Sequence, residues 1–452
     1  MKINVLKIDY DRSVQDKIRL CFWLYLFFLI FESAFRKWFL PGLSNIFLVI
    51  RDPIVLYVLI LGLHKNLTNS KYVVFLIALG SIAFFTTLIW GHQNFLVDIY
   101  GFRIIGIYFP AMFVFSKSLK RYDLLIVGKV ILYLSFFMTI LITLQYFSPQ
   151  SSWVNRGIGG NEEGAGFAGV GGYFRPSGTF SFISGMVGFE FLVGAFLMYF
   201  LFFNANLPKS IKIPRIFLVI ITLSFGVSII VCLSRSIIFQ SLILLLLAIL
   251  APLFLKKDYT KIFNLSIVLV ISVAILSQIN FFRIAVNNLS ERFENASDSE
   301  GNVVTGTIQN RFLGSYERAF TDTQNFTGKE IPFTGFGLGI GTKVGEKLLG
   351  IDSSTKPFAV AEEEWSRVIC EMGLLMGGLF LIVIRVIFPF SYSIKAFNCF
   401  RRNEDYLPYF FIPPFFIFIS NRQLAMPNLL GFTVLFGIIL LASINTSKKL
   451  SK

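Results

Sequence analysis

Runs of about 20 apolar residues recur along the chain, and each is long enough for an α-helix to cross the roughly 30 Å hydrocarbon core of a bilayer. The candidate spans are 20–38, 45–63, 72–90, 97–116, 123–147, 179–203, 215–233, 236–255, 262–282, 366–390, 406–420 and 425–444. They predict an all-α, polytopic transmembrane helix bundle with about twelve spanning helices, a single integral membrane domain over 1–452. Composition agrees: 55% of residues are apolar and 15% charged, where a soluble domain carries about 25% charge. The first, second and eleventh runs are the weakest, interrupted by Glu32, by Arg51-Asp52-Pro53 and by Pro413-Pro414. The charged stretch ahead of the first run leads to no small-residue cleavage site, which reads as an uncleaved anchor.

Short cytoplasmic loops collect Lys and Arg. With the N-terminus inside, the inner segments hold sixteen Lys and six Arg, while the short outer loops are far poorer. This orientation places both termini in the cytoplasm. It puts two long connections outside, a Gly-rich loop at 148–178 and a loop at 283–365 between helices 9 and 10. A second asymmetry lies on the outer side, where Arg36, Arg51, Arg103, Arg156, Arg175, Arg235 and Arg422 stand against one lysine, Lys37. Arginine grips phosphate oxygens through a planar fork that lysine lacks. The alternative is that these arginines pair with Glu32, Asp52 and Asp98 or meet lipid headgroups. Sorted by side, the net charge of +15 becomes a lysine-rich inner fringe and a sparse outer set of arginines. That points to a phosphate-bearing lipid and a bilayer, with no nucleic-acid partner.

Two histidines, His64 and His92, and four scattered cysteines, Cys21, Cys232, Cys370 and Cys399, offer no zinc or haem spacing. No metal and no other cofactor is expected, and the cysteines read as small buried apolar residues. The spans show no two corresponding halves, which weighs against a carrier.

The Gly-rich outer loop has a composition suited to a lid. Its Gly164-Ala-Gly166-Phe-Ala-Gly169 string lacks the flanking strand and helix of a dinucleotide fold. The loop leaves through Arg175-Pro176-Ser177-Gly178-Thr179-Phe180, with Glu190 about three turns down the following span. Glu190 and Arg103 are candidates for an intramembrane polar site, because ionisable groups at such depth are costly unless paired or hydrated; for Glu190 the alternative is an internal hydrogen-bonding partner for a neighbouring helix. The hairpin Leu233-Ser234-Arg235-Ser236 is so short that it holds Arg235 near the interface. In the second outer loop, Thr305 or Thr307 can cap an amphipathic helix. Phe312, Tyr316 and Phe320 share one face of it, beside Arg311, Ser315 and Arg318. Gly335-Phe-Gly337-Leu-Gly339-Ile-Gly341 suggests a tight, close-approach loop. Glu362, Glu363 and Glu364 then precede the tenth span, where like-charge repulsion would poise a general base near neutrality; the alternative is an ordinary helix-start acid cluster favoured by the helix dipole.

In order and topology these elements resemble the O-antigen ligase and O-antigen polymerase family of bacterial surface-polysaccharide enzymes. The resemblance covers about 175–390 and rests on RPSGTFSFISG (175–185), LSRS (233–236), NRFLGSYERAF (310–320), FTGFGLGIG (333–341), and EEEW (362–365) followed by EMGLLMGG (371–378). It implies a metal-independent, inverting glycosyltransferase of the plasma membrane. The donor would be an undecaprenyl-diphosphate-linked glycan on the outer face, and a chain-length regulator is a possible partner. It also implies that Arg175, Arg235 and Arg311, with Arg318 beside them, are the diphosphate-binding positions. Ligases of the family place a His-Asn pair where this chain has Glu362 and Glu363. Those two become the candidate general bases, and the departure favours a chain-extending polymerase over a ligase. A flippase or carrier for the lipid-linked glycan is the alternative without catalysis.

Overall fold

The computed structural model describes residues 2–164, 167–168, 172–255, 283–284, 286–288, 290–291, 314, 330–351 and 364–450. Among them, eight helices are long and apolar enough to cross a membrane: α1 (Ser13–Phe39), α2 (Pro41–His64), α3 (Lys71–Trp90), α4 (Phe95–Ser118), α5 (Arg121–Phe147), α6 (Ile183–Asn206), α9 (Glu364–Asn403) and α11 (Pro427–Ser447). Three shorter apolar helices join them, α7 (Arg215–Val231), α8 (Arg235–Ala251) and α10 (Tyr406–Asn421). The protein is a membrane-embedded all-α bundle. The predicted span at 262–282 and most of the loop at 283–365, its amphipathic helix included, lie outside the described residues.

Polar contacts sort the helix ends onto two opposite faces. At the face of the chain termini, Arg19 Nε lies 3.2 Å from Asp123, Arg121 forks onto Asp405 at 3.0 and 2.6 Å, and Asn403 Nδ2 donates to Ser447 Oγ at 3.1 Å. At the other, the loop face, Trp38 Nε1 donates to Trp153 O, Trp365 Nε1 to Ser420 O, and Asn428 Nδ2 to Ser181 Oγ. Successive helices therefore run antiparallel, as short connections require.

Burial separates helices whose sequences look alike. α3 hides one face only, Val73, Leu76, Leu79, Gly80, Ala83 and Thr87 at helical spacing, and leaves Val74, Ile82, Phe85 and Ile89 exposed to lipid. α6 and α11 are buried almost all round: every residue from Val434 to Phe436 and from Ile438 to Leu440 has 0% exposure. These two make the centre of the bundle, and both start at the loop face.

The tenth predicted span is not one continuous helix. Gly373 takes φ 73° and ψ 177° within α9, a combination open essentially to glycine alone. Glu364 ion-pairs with Arg385, 21 residues away, whereas a continuous helix would separate them by about 31 Å. The Cβ position of Gly377 likewise falls 2.9 Å from Val368 O. α9 is thus a helical hairpin, a short limb before Gly373 folded back on a long limb after it.

Candidate functional site

The site at the loop face begins with the segment that enters α6. A two-residue β-ribbon pairs β1 (Phe167–Ala168) with β2 (Phe174–Arg175), placing Arg175 opposite Phe167. Pro176 to Phe180 are then buried rather than loose. Gln145 grips the turn: Gly178 N donates to its Oε1 at 2.7 Å, and its Nε2 donates to Gly178 O at 3.2 Å and Val154 O at 2.9 Å. Thr179 Oγ1 donates to Ile30 O, and Asn155 Nδ2 donates to Gln145 O, Ser148 O and Pro149 O. Both described ends of the Gly-rich loop are therefore pinned, at Asn155 and at Gly178–Thr179. α6 starts at Ile183, after the predicted residue 179, which sets Glu190 about 10 Å down the helix, two turns and not three.

Arg235 opens α8 directly after a turn in which Leu233 takes φ 47°. About one and a half turns further, Gln240 lies against α6. With its amide oriented to satisfy both neighbours, it donates to Val187 O at 3.2 Å and accepts from Arg422 Nη2 at 3.0 Å. Arg235 and the start of α6, remote in sequence, thus share one end of the bundle with Arg422. Burial pulls the Arg422 guanidinium down to about 10, so it stays charged at neutral pH.

Of the three adjacent glutamates, Glu364 is committed to structure. Arg367 grips it through Nε and Nη2 at 3.0 and 2.8 Å, Arg385 Nη2 donates to it, and Leu424 N donates to it at 2.9 Å. Arg367 also donates to Glu371, whose other oxygen accepts from Gly341 N at 3.0 Å. Two carboxylates and two guanidiniums, all buried, form a neutral network. A poised cluster of three carboxylates is therefore reduced to Glu362 and Glu363, which lie outside the described residues with Arg311 and Arg318.

The glycine string packs as the close-approach loop its composition suggests. Phe336 N and Gly337 N donate to Cys370 O and Glu371 O, carbonyls freed by the break at Gly373. Leu338 is held from both sides, its N–H by Thr87 Oγ1 at 3.0 Å and its carbonyl by His92 Nε2 at 2.8 Å. A Cβ at Gly339, φ 83°, would lie 2.3 Å from Val97 O. Gly339→Val should therefore detach the loop from α4, raising protease cleavage within 333–341 several-fold in intact membranes.

Several outer arginines take the pairing alternative. Arg36 and Arg51 both meet Glu32, at 3.1 and 3.2 Å, and Arg103 meets Asp52 at 2.6 Å, where Tyr108 OH also donates at 2.6 Å. A π-helical turn over Arg103–Tyr108 puts those two side chains on one face. Arg103 and Glu190 belong to different helix groups: Glu190 is buried beside Ser228 and Cys232. The residues that sequence reading left out of the site are Lys37, Gln240, Arg367, Arg385 and Arg422. The available signal was the cost of an ionisable group inside an apolar run, strongest at Arg385.

Among the described residues no group of three or more His, Cys, Asp or Glu is gathered to hold a metal ion, and all four cysteines are buried and outside any disulfide. Compared with known proteins, the chain matches no family model, no curated protein and no solved structure.

Proposed function

We propose that this chain is a twelve-span glycosyltransferase of the bacterial plasma membrane, termini cytoplasmic, that joins undecaprenyl-diphosphate-linked oligosaccharide units on the outer face. The observation that carries the reading is the meeting of the 175–185 segment, the Arg235 turn and Arg422 at one end of the bundle. The N-terminus of α6 there adds partial positive charge of the kind that favours phosphate. Arg175 and Arg235, joined by Arg311 and Arg318, would stabilise charge developing on the departing diphosphate. The attacking sugar hydroxyl would give its proton to Glu362 or Glu363.

Reconstitution with synthetic lipid-linked repeat units, followed by sizing of the product, tests the proposal. Polymer is the expected product, and single units left unchanged would overturn it. Arg235→Ala should lower the rate by about 100-fold, the effect of one lost transition-state donor, and Glu362→Gln or Glu363→Gln should abolish polymer formation. A ligase would instead consume preformed polymer on a different acceptor. A flippase would move the lipid-linked unit between leaflets without bond exchange, and it would be untouched by either glutamate change.

A further inference from the structure

Lys37 is the one lysine among the outer arginines, and it is 1% exposed. The π-helical turn Phe35–Phe39 that ends α1 directs it into the protein. Its ammonium donates to Ser177 Oγ at 2.8 Å and Gly178 O at 3.3 Å, and it lies 5.5 Å from the Trp38 ring. Among the described residues no carboxylate lies within ion-pair reach of it. The nearby acids are already engaged, Glu32 by Arg36 and Arg51 and Asp52 by Arg103. Three arginines against two carboxylates leave one positive charge, and Lys37, next in sequence to Arg36, adds a second.

Burying an uncompensated cation is costly. Two neutral oxygens could be held equally well by a neutral donor. The charge is useful if an anion comes to lie against the segment that Lys37 supports. Ser177 Oγ, by accepting from the ammonium, keeps its own proton available to donate outward.

Resting on the function proposed above, we propose that buried Lys37 and the cation excess behind it are the fixed half of an anion site for a dianionic diphosphate. That diphosphate is taken up at Arg175–Gly178. Lys37 acts as a positioning residue: it holds Ser177 and Gly178 and supplies a field that water cannot screen. Arg175 and the Ser177 hydroxyl make the contacts.

The test uses purified full-length protein in detergent micelles, with farnesyl diphosphate as probe and farnesol as the uncharged control. Wild-type protein should be stabilised against heat by the diphosphate and not by farnesol. Lys37→Met should unfold at the same or a higher temperature without ligand and bind the diphosphate about tenfold more weakly. Lower intrinsic stability with unchanged affinity would overturn the inference and leave Lys37 as a tether. If Lys37→Met is not recovered folded, Lys37→Gln keeps a donor toward Ser177, and wild-type affinity in that variant would overturn the inference equally. Weakened binding by Arg235→Ala but by neither Lys37 variant would remove Lys37 alone. No binding by wild-type protein would remove the diphosphate reading itself, and Lys37 with it.

Discussion

Arg385→Leu should destabilise the protein by roughly 3–5 kcal/mol, the usual cost of removing one partner from a buried ion pair. Arg385 is 0% exposed and donates to Glu364, to Ile419 O at 2.6 Å and to Arg422 O at 3.3 Å. Its loss leaves Glu364 sharing Arg367 with Glu371, one negative charge in excess, and frees two carbonyls at the end of α10. Thermal unfolding in detergent micelles measures the drop. The double variant Arg385→Leu/Glu364→Gln restores neutrality and should recover at least half of it. A single variant within about 0.5 kcal/mol of wild type would mean that Arg385 holds nothing together, since changes of that size are what uninvolved surface positions give.

The same network marks where sequence reading reached its limit. An apolar run announces a span because the bilayer demands it, and the described part of the chain places a helix at every run but 262–282, of which nothing is described. Depth and direction inside a run are not encoded that way. Gly373 sits in EMGLLMGG, where a glycine reads equally as a tolerated helix residue or as a reversal. Only the partnership of Glu364 with Arg385 decides between them. Glu362, Glu363 and Glu364 likewise look equivalent in sequence, yet Glu364 is taken by arginines that follow it by 3 and 21 positions. The preference for arginine on the outer side was legible as a bias. Its division between structure and chemistry was not, because Glu32 and Asp52 claim Arg36, Arg51 and Arg103 through tertiary contacts.

Gly373→Ala should be nearly as damaging, and for a different reason. A Cβ there would lie 2.0 Å from Phe333 O and 2.8 Å from Gly335 N, so backbone and not a flexible side chain would have to move. Holding an alanine at φ 73° and ψ 177° adds about 1–3 kcal/mol of strain, and forcing extra volume into a packed position adds about 1–3 kcal/mol more. Relief requires the hairpin to open. That would break the bonds from Phe336 N and Gly337 N to Cys370 O and Glu371 O, at 2.8 and 3.0 Å, and leave those carbonyls unsatisfied at the loop face. Gly378→Ala is the matched control, because nothing lies within 4 Å of its Cβ position in the long limb of the same hairpin. It should be neutral or stabilising by about 0.5–1 kcal/mol, the ordinary gain of alanine over glycine in a helix. Opposite signs for the two variants, read from thermal midpoints and from protease cleavage within 333–341, would locate the cost in the reversal. Equal effects would mean that α9 tolerates a straight path, and the buried contact between Glu364 and Arg385 would then have to be abandoned.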